Sequence, residues 1–269
     1  CNTSFCCCSI LLSSYGENLM TIKFKQSDKI VKLPDFCIFD TDNTLYAYEK
    51  PHREAMKAVG SKVSRLLGTS KQDFEDTFSL AREEIRKRLG DTASSHSRLL
   101  YFQRTVEMLG FRTQVLTTLD LEQTYWRTFL TNAALFPGVR ECLLEMRSKG
   151  TRCLVITDLT SQIQYRKLIY FGLDNFFDFV ITSEEAGKDK PDSAPFLLAK
   201  AKAGINEDHT VWMIGDDTET DILGARKHLG AITLQKNHFG VTVGTGKDAP
   251  DVVFDNFKEI VALLSQRQR

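Results

Sequence analysis

Neither charge is in excess in this 269-residue chain: Lys+Arg and Asp+Glu each number 35. No general electrostatic grip on a nucleic acid polymer or an anionic membrane is therefore expected. No membrane span is predicted either. The apolar run Phe5 to Leu12 is too short to cross a bilayer and lacks the basic flank of a secretory signal. No CxxC pair faces a second one or a histidine pair, so a zinc site is not expected. No GxxxxGK[ST] is present, which excludes an NTPase P-loop. The glycine-rich stretch Gly240 to Gly246 opens no helical pattern and is expected to be a mobile loop. Internal repeats and low-complexity tracts are lacking. The histidines, His52, His96, His209, His228 and His238, have no metal-ligand spacing and are expected at the surface or in packing. Seven cysteines are an odd count in a chain too long for a disulfide scaffold. Reduced thiols and a cytoplasmic location are the expectation. Residues 1–32, which include Cys1, Cys6, Cys7 and Cys8, are expected to be a disordered N-terminal tail.

Hydrophobic residues make up 42% of the chain, enough to bury a sizeable core. Asp35 to Phe39 reads as a buried strand ending at Asp40. From about Pro51 to Phe129 the apolar spacing is helical throughout, as in Met56-Val59-Val63-Leu66-Leu67 and Phe74-Phe78-Ala81-Ile85-Leu89. After Pro137-Gly138 strands and helices alternate. Apolar strands are predicted at Cys153–Ile156, Phe179–Ile181, Val211–Ile214, Ala231–Leu234 and Val252–Phe254. Helices follow over 139–147, 161–171, 193–203, 220–229 and 257–264. This pattern predicts an α/β fold, a doubly wound three-layer parallel sheet core with an inserted all-helical cap domain. The core is expected to take residues 33–49 and 133–269, and the cap residues 50–132. In such sheets ligands bind at the carboxyl ends of the strands, where this sequence places Asp40 and Asp42, Thr157 and Asp158, and Asp216 and Asp217.

Two carboxylates two residues apart, in Asp40-Thr41-Asp42-Asn43-Thr44, can face one point. One can attack an electrophile while the other handles protons. Crowding of like charges is expected to raise one pKa, leaving a protonated Asp42 for a leaving alkoxide. Loop amides beyond Asp40 can donate to phosphoryl oxygens. An Asx-turn at a strand end would use the same residues without chemistry. In Gly215-Asp216-Asp217-Thr218-Glu219-Thr220-Asp221 the clustered carboxylates suit Mg²⁺, a hard cation that takes oxygen ligands. Asp216 is the expected direct ligand, with Asp217 and Asp221 acting through water or around it. An acidic helix N-terminus would look the same. Thr157 can donate to a phosphoryl oxygen, and Lys190 can neutralise both that group and the nucleophile.

The order of these motifs resembles the haloacid dehalogenase (HAD) superfamily of phosphohydrolases. The matching residues are Phe39-Asp40-Thr41-Asp42-Asn43-Thr44-Leu45, Ile156-Thr157-Asp158, Lys190-Pro191, and Ile214-Gly215-Asp216-Asp217 with Asp221. The resemblance implies Asp40 as nucleophile and metal ligand, and Asp42 as general acid and then base, its carbonyl on the metal. It implies Thr157 and Lys190 at the phosphoryl group, with Thr41, Asn43, Thr44 and Asp158 beside the substrate. The metal would be Mg²⁺, held by Asp40, Asp42, Asp216, Asp217 and Asp221. Many relatives carry Asn and Gly where Asp158 and Leu159 stand here. Dehalogenases of the family lack the second aspartate, so Asp42 favours phosphoryl transfer. The stretch Gln164 to Pro191 is similar to pyrimidine-nucleotide and acylneuraminate phosphatases. The implied partner is a small phosphorylated metabolite, a sugar phosphate or a nucleoside monophosphate. Arg53, Arg86, Arg98 and Tyr101 are the cap residues considered for the leaving group. A phosphomutase with the same nucleophile, or a catalytically idle binding protein, is the alternative. Oligomeric state is not readable.

Overall fold

The computed structural model describes residues 23–24 and 32–266. Among these residues seven strands form one sheet: β1 (Lys23–Phe24), β2 (Phe36–Phe39), β3 (Arg152–Thr157), β4 (Phe179–Thr182), β5 (Val211–Gly215), β6 (Ile232–Lys236) and β7 (Val252–Phe254). Their order is β1-β7-β6-β5-β2-β3-β4. Strands β2 to β7 pair in parallel, and β1 adds antiparallel to β7 at the edge. That edge pair lies inside the segment expected to be a tail, whose other residues, the four leading cysteines included, fall outside the described ones. Among the described residues no helix is long and apolar enough to cross a membrane.

The central strand is apolar on both faces because both faces are covered. Phe36 and Ile38 point into a cluster with Leu154, Ile156, Met213, Phe196 and Ala199. Cys37 and Phe39 point the other way, into a cluster with Trp212, Cys142, Met146 and Ile260. Helices α8 (Ser193–Ala203) and α9 (Gly224–Leu229) cover the first face. Helices α5 (Val139–Ser148), α6 (Ser161–Tyr170) and α10 (Phe257–Ser265) cover the second. Each fully buried Phe or Ile here contributes about 1.5–3 kcal/mol of transfer free energy. The thiols of Cys37, Cys142 and Cys153 are free and buried, and burial raises all three pKa values, that of Cys153 to about 12. They are packing groups and not reactive ones. A short α7 (Ser183–Ala186) follows β4. The helix expected from Thr220 opens instead as a π-helical turn over Thr218–Leu223, running into α9.

Between β2 and β3 the chain forms α1 (Glu49–Leu67), α2 (Lys71–Leu89), α3 (Arg98–Met108) and α4 (Val115–Asn132). Local signals set their ends. Pro51 sits in the first turn of α1, where no amide donor is needed. Gly68 closes α1 at φ 70°. Ser70 caps α2 by accepting from the Asp73 amide. Three of the four helices meet through rings: Phe78 meets Phe102 at 5.4 Å between centroids, and Phe102 meets Tyr125 at 5.9 Å. Phe129 then meets Tyr46 of the sheet side at 6.1 Å, so one apolar cluster joins the helices to the sheet.

Candidate active site

Register brings the motifs together. Phe39 pairs with Val155 on one side and Ile214 on the other. Asp40 therefore follows β2 at the level where Thr157 ends β3 and Asp216 follows β5. The chain leaves β2 on one side for β3 and β4, and returns on the other for β5. The crevice at this switch is where a doubly wound sheet binds its ligand.

Asp40 is buried, and the Asp40 amide donates to the Ile214 carbonyl at 2.9 Å. Lys190, also buried, donates to Asp40 Oδ1 at 2.7 Å and to Asp221 Oδ1 at 2.6 Å. Thr44 Oγ1 reaches Asp40 Oδ2 at 3.2 Å and Asp216 Oδ1 at 3.3 Å. Carboxylate oxygens of Asp40, Asp216 and Asp221 all lie within 4.8 Å of one another. Burial, opposed by Lys190 and reinforced by Asp221, pushes the Asp40 carboxyl up to about 7. Burial and the charges of Asp40 and Asp221 push Asp216 up to about 9. Burial raises Asp221 as well, against the pull of Lys190. Three carboxylates thus share one lysine. This excess of buried negative charge, offered as oxygen donors, fits a hard divalent cation.

A pH dependence follows. With carboxyls that hold protons more tightly folded than unfolded, the metal-free protein should lose stability as pH rises from about 4 to about 9. Divalent cation should restore most at the alkaline end, because it replaces the missing protons. Thermal melts in EDTA and in Mg²⁺ across that range check this. A metal-free melting temperature that rises with pH would contradict it.

Gly215 makes room for this cluster. A Cβ there would stand 2.3 Å from Asp221 Oδ2 and 2.4 Å from Asp221 Cβ. Gly215→Ala is expected to displace Asp221 and to cost about 1–3 kcal/mol by overpacking. Metal affinity should fall by about tenfold or more, as when a ligand is mispositioned. A melt combined with a metal titration reads both effects, and an unchanged titration would count against Asp221 as part of the metal group.

Several expected residues take other places. Asp217 caps the π-helical turn, accepting from the Glu219 and Thr220 amides at 2.9 and 2.8 Å. Its carboxylate is not in the acidic triad. Asp42 was expected to carry the raised pKa, but the opposite holds. Burial pushes it up, yet Lys167 at 2.7 and 3.0 Å, a Tyr46 hydroxyl bond and the charge of Arg98 outweigh burial and hold it below the usual carboxylate value. The Asp40 carboxyl is the one raised. Thr41 and Thr44 are buried and do not line the cavity. Thr41 Oγ1 meets Thr157 Oγ1 at 2.8 Å. Asn43 does line it, at φ 62°, with Oδ1 accepting from the Tyr48 amide at 3.0 Å. Asp158 accepts from the Lys190 amide at 3.0 Å, and burial raises its carboxyl to about 6 despite Lys190. Leu159 takes φ 106°, a backbone conformation that favours glycine.

Lys167, Tyr46 and Gln164 were missed. Gln164 Nε2 donates to Thr157 Oγ1 at 2.8 Å and to the Asp158 carbonyl at 2.7 Å. The available signal was polarity at core-facing positions: Gln164 and Lys167 share the buried stripe of α6 with Ile163 and Leu168.

These groups surround a cavity of about 270 Å³. Its sheet wall holds Asp40, Asp42, Thr157, Asp158, Lys190, Asp216 and Asp221; Arg82, Arg86, His96, Arg98 and Trp126 enter from the helices. His96 is thus a cavity residue and not mere packing, its Nε2 2.9 Å from Asp189 Oδ2. Of the cap candidates, Arg86 and Arg98 line the cavity. Arg53 lies at the surface beside Glu54, and the Tyr101 hydroxyl turns to the Ser95 carbonyl. A second cavity beside Asp216 is bounded by the irregular Gly240 to Thr245 loop, where the Gly244 amide donates to Gln235 Oε1 at 3.1 Å.

Known proteins are similar to this chain in sequence and fold. The haloacid dehalogenase-like hydrolase family matches over residues 34–228. A ribulose-1,5-bisphosphate 5-phosphatase of Halopiger xanaduensis is 37% identical over 190 residues, covering 70% of this chain and 79% of that protein. A glyceraldehyde 3-phosphate phosphatase of Methanocaldococcus jannaschii is 30% identical over 226 residues, covering 82% and 90%. Among solved structures, an HAD phosphatase from Thermococcus onnurineus superposes with a TM-score of 0.66 at 24% identity, covering 87% of this chain and 99% of that one. A 2-haloacid dehalogenase from Pseudomonas syringae has the same fold, with a TM-score of 0.65 at 22% identity and coverage of 88% and 99%. The chain belongs to the haloacid dehalogenase-like hydrolase family, as one of its phosphatases.

Proposed function

We propose that the protein hydrolyses small phosphomonoesters through a phosphoaspartate on Asp40, with Mg²⁺ as cofactor. The observation that carries this is the buried Asp40 carboxylate, held by Lys190 at 2.7 Å at the floor of the cavity, with Asp42 two residues on. Asp40 attacks phosphorus, and the ester oxygen leaves with a proton from Asp42. Asp42 then takes a proton from a water that attacks the phosphoaspartate. Inorganic phosphate departs and Asp40 is regenerated. Lys190 and the Thr157 hydroxyl offset charge on the phosphoryl oxygens, and Thr44 and Lys190 orient Asp40. Asp40, Asp216 and Asp221 would hold Mg²⁺, which supplies positive charge against the phosphoryl oxygens.

With Lys167 and Tyr46 in place Asp42 is ionised, ready for the water step. To act as an acid first, it must take a proton, which solvent or a phosphomonoester entering as its monoanion supplies. Helices α1 to α4, within the cap expected over residues 50–132, would close over the site and exclude water in the first step. The named phosphatases among the relatives act on ribulose bisphosphate, glyceraldehyde 3-phosphate and phosphoglycolate, which supports a small phosphorylated metabolite here.

Phosphate release from a panel of sugar phosphates, short-chain phosphates and nucleoside monophosphates, with Mg²⁺ and with EDTA, tests the proposal. Metal-dependent release is the expected result. A protein that binds Mg²⁺ and releases phosphate from none of them would overturn it.

A further inference from the structure

The charges of the cavity are segregated. Among the described residues all its carboxylates come from the sheet side. The helices contribute Arg82, Arg86, His96 and Arg98, and not one acidic residue. The lysine and threonine that serve the phosphoryl group belong to the sheet side, so the three arginines are not needed there.

None of the three guanidinium groups makes a hydrogen bond or ion pair with a carboxylate among the described residues, although the charge of Arg98 is felt at Asp42. Arg82 makes no hydrogen bond or ion pair there, although it stands on an exposed turn of α2 beside Glu83 and Glu84. Glu84 instead pairs with Arg88 and Arg104. Arg86 Nη2 lies 3.2 Å from His96 Nδ1 and makes no ion pair among the described residues. Arg98 is held by the His96 carbonyl at 2.7 Å and the Tyr48 hydroxyl, and lies 5.4 Å from the ring centres of Tyr101 and Tyr125. Its Nε is buried with no acceptor. Arg82 and Arg86 are also spaced i,i+4 on one helix face, where like charges repel by a few tenths of a kcal/mol. Local helix stability does not account for such a pair, and an anion between the arginines and the site would.

We propose that the substrate carries a second oxyanion, a carboxylate or a phosphate on the leaving group, and that Arg82 and Arg86 bind it with Arg98 behind them. This rests on the phosphatase reading and narrows its substrate class to phosphomonoesters with an anionic tail. Guanidinium forks match either oxyanion in paired hydrogen bonds. A neutral-tailed ester would leave these guanidinium groups without an anion to bind.

Three esters of matched reach separate the cases: hydroxyethyl phosphate with a neutral tail, phosphoglycolate with a carboxylate, and propanediol bisphosphate with a phosphate. The wild-type kcat/KM for the better anionic ester should exceed that for the neutral one by roughly 10- to 100-fold, the worth of a charged hydrogen bond. The larger of the two anionic values identifies the oxyanion. In Arg82→Gln/Arg86→Gln the ratio of anionic to neutral kcat/KM should collapse by about tenfold or more. Both side chains are exposed, so the fold should tolerate the change. A wild-type ratio near one, or variants that lower all three esters alike, would overturn the proposal. Calorimetry in an Asp40→Asn background reads the same preference without turnover. Tighter binding of an anionic ester there, lost with the two arginines, supports the anion site even if no ester is hydrolysed. Equal binding of all three esters refutes it. Failure of the phosphatase reading and failure of this inference are thereby told apart.

Discussion

Asp40→Asn is expected to abolish phosphate release, by on the order of 10⁴-fold or more, as when an enzyme loses its covalent nucleophile. The amide keeps the shape of the carboxylate and its contact with Thr44, but it cannot form an acyl phosphate. The same change should not destabilise the metal-free protein. Asp40 is a carboxylate whose ionised form is disfavoured by burial and by Asp221, so neutralising it relieves repulsion. Loss of turnover with a melting temperature equal to or above that of the wild type in EDTA is the expected pair of results. Residual activity above about one per cent would exclude Asp40 as an obligatory nucleophile.

Lys190→Met should fail in the opposite way, losing both activity and stability. The Lys190 side chain is 3% exposed and touches two buried carboxylates. Without it Asp40 and Asp221 stand unpaired, and breaking a buried ion pair costs about 3–5 kcal/mol while the remaining charges persist. Burial and mutual repulsion then raise both carboxyls further, so the folded protein binds protons that the unfolded chain has released. The deficit should therefore grow as pH rises and shrink towards about pH 5, where the carboxyls are protonated. Melts in EDTA at about pH 5 and about pH 8 measure it. A variant as stable as the wild type at the higher pH would show that Lys190 does not balance these charges. Contrasting the two substitutions separates charge balance from nucleophilic chemistry, because one removes a negative charge from the cluster and the other removes the cation that contacts it.

Much of the framework could be read without coordinates. Apolar runs such as Phe36–Phe39 and Val211–Gly215 mark buried strands because every side chain in them must avoid water. The edge pair at Lys23–Phe24 was not legible: two residues carry no periodicity. Nor was the π-helical turn at Thr218–Leu223, which depends on the Asp217 cap and on Asp221 turning inward.

What the sequence determined by itself is therefore local. It set where strands end, which aspartates follow them, and in which order the motifs come, since burial and capping act within a few residues. The tertiary structure alone decided which carboxylates meet. Asp221 joins Asp40 and Asp216 while Asp217 caps a turn, because side-chain direction in a π-helical turn is not a matter of spacing. It decided the charge of Asp42 as well, through Lys167, which lies 125 residues away in sequence. And it gathered Arg82, Arg86 and Arg98 from two helices onto one wall. Electrostatic energy depends on distance and desolvation, and both are properties of the packed molecule and not of the order of residues along the chain.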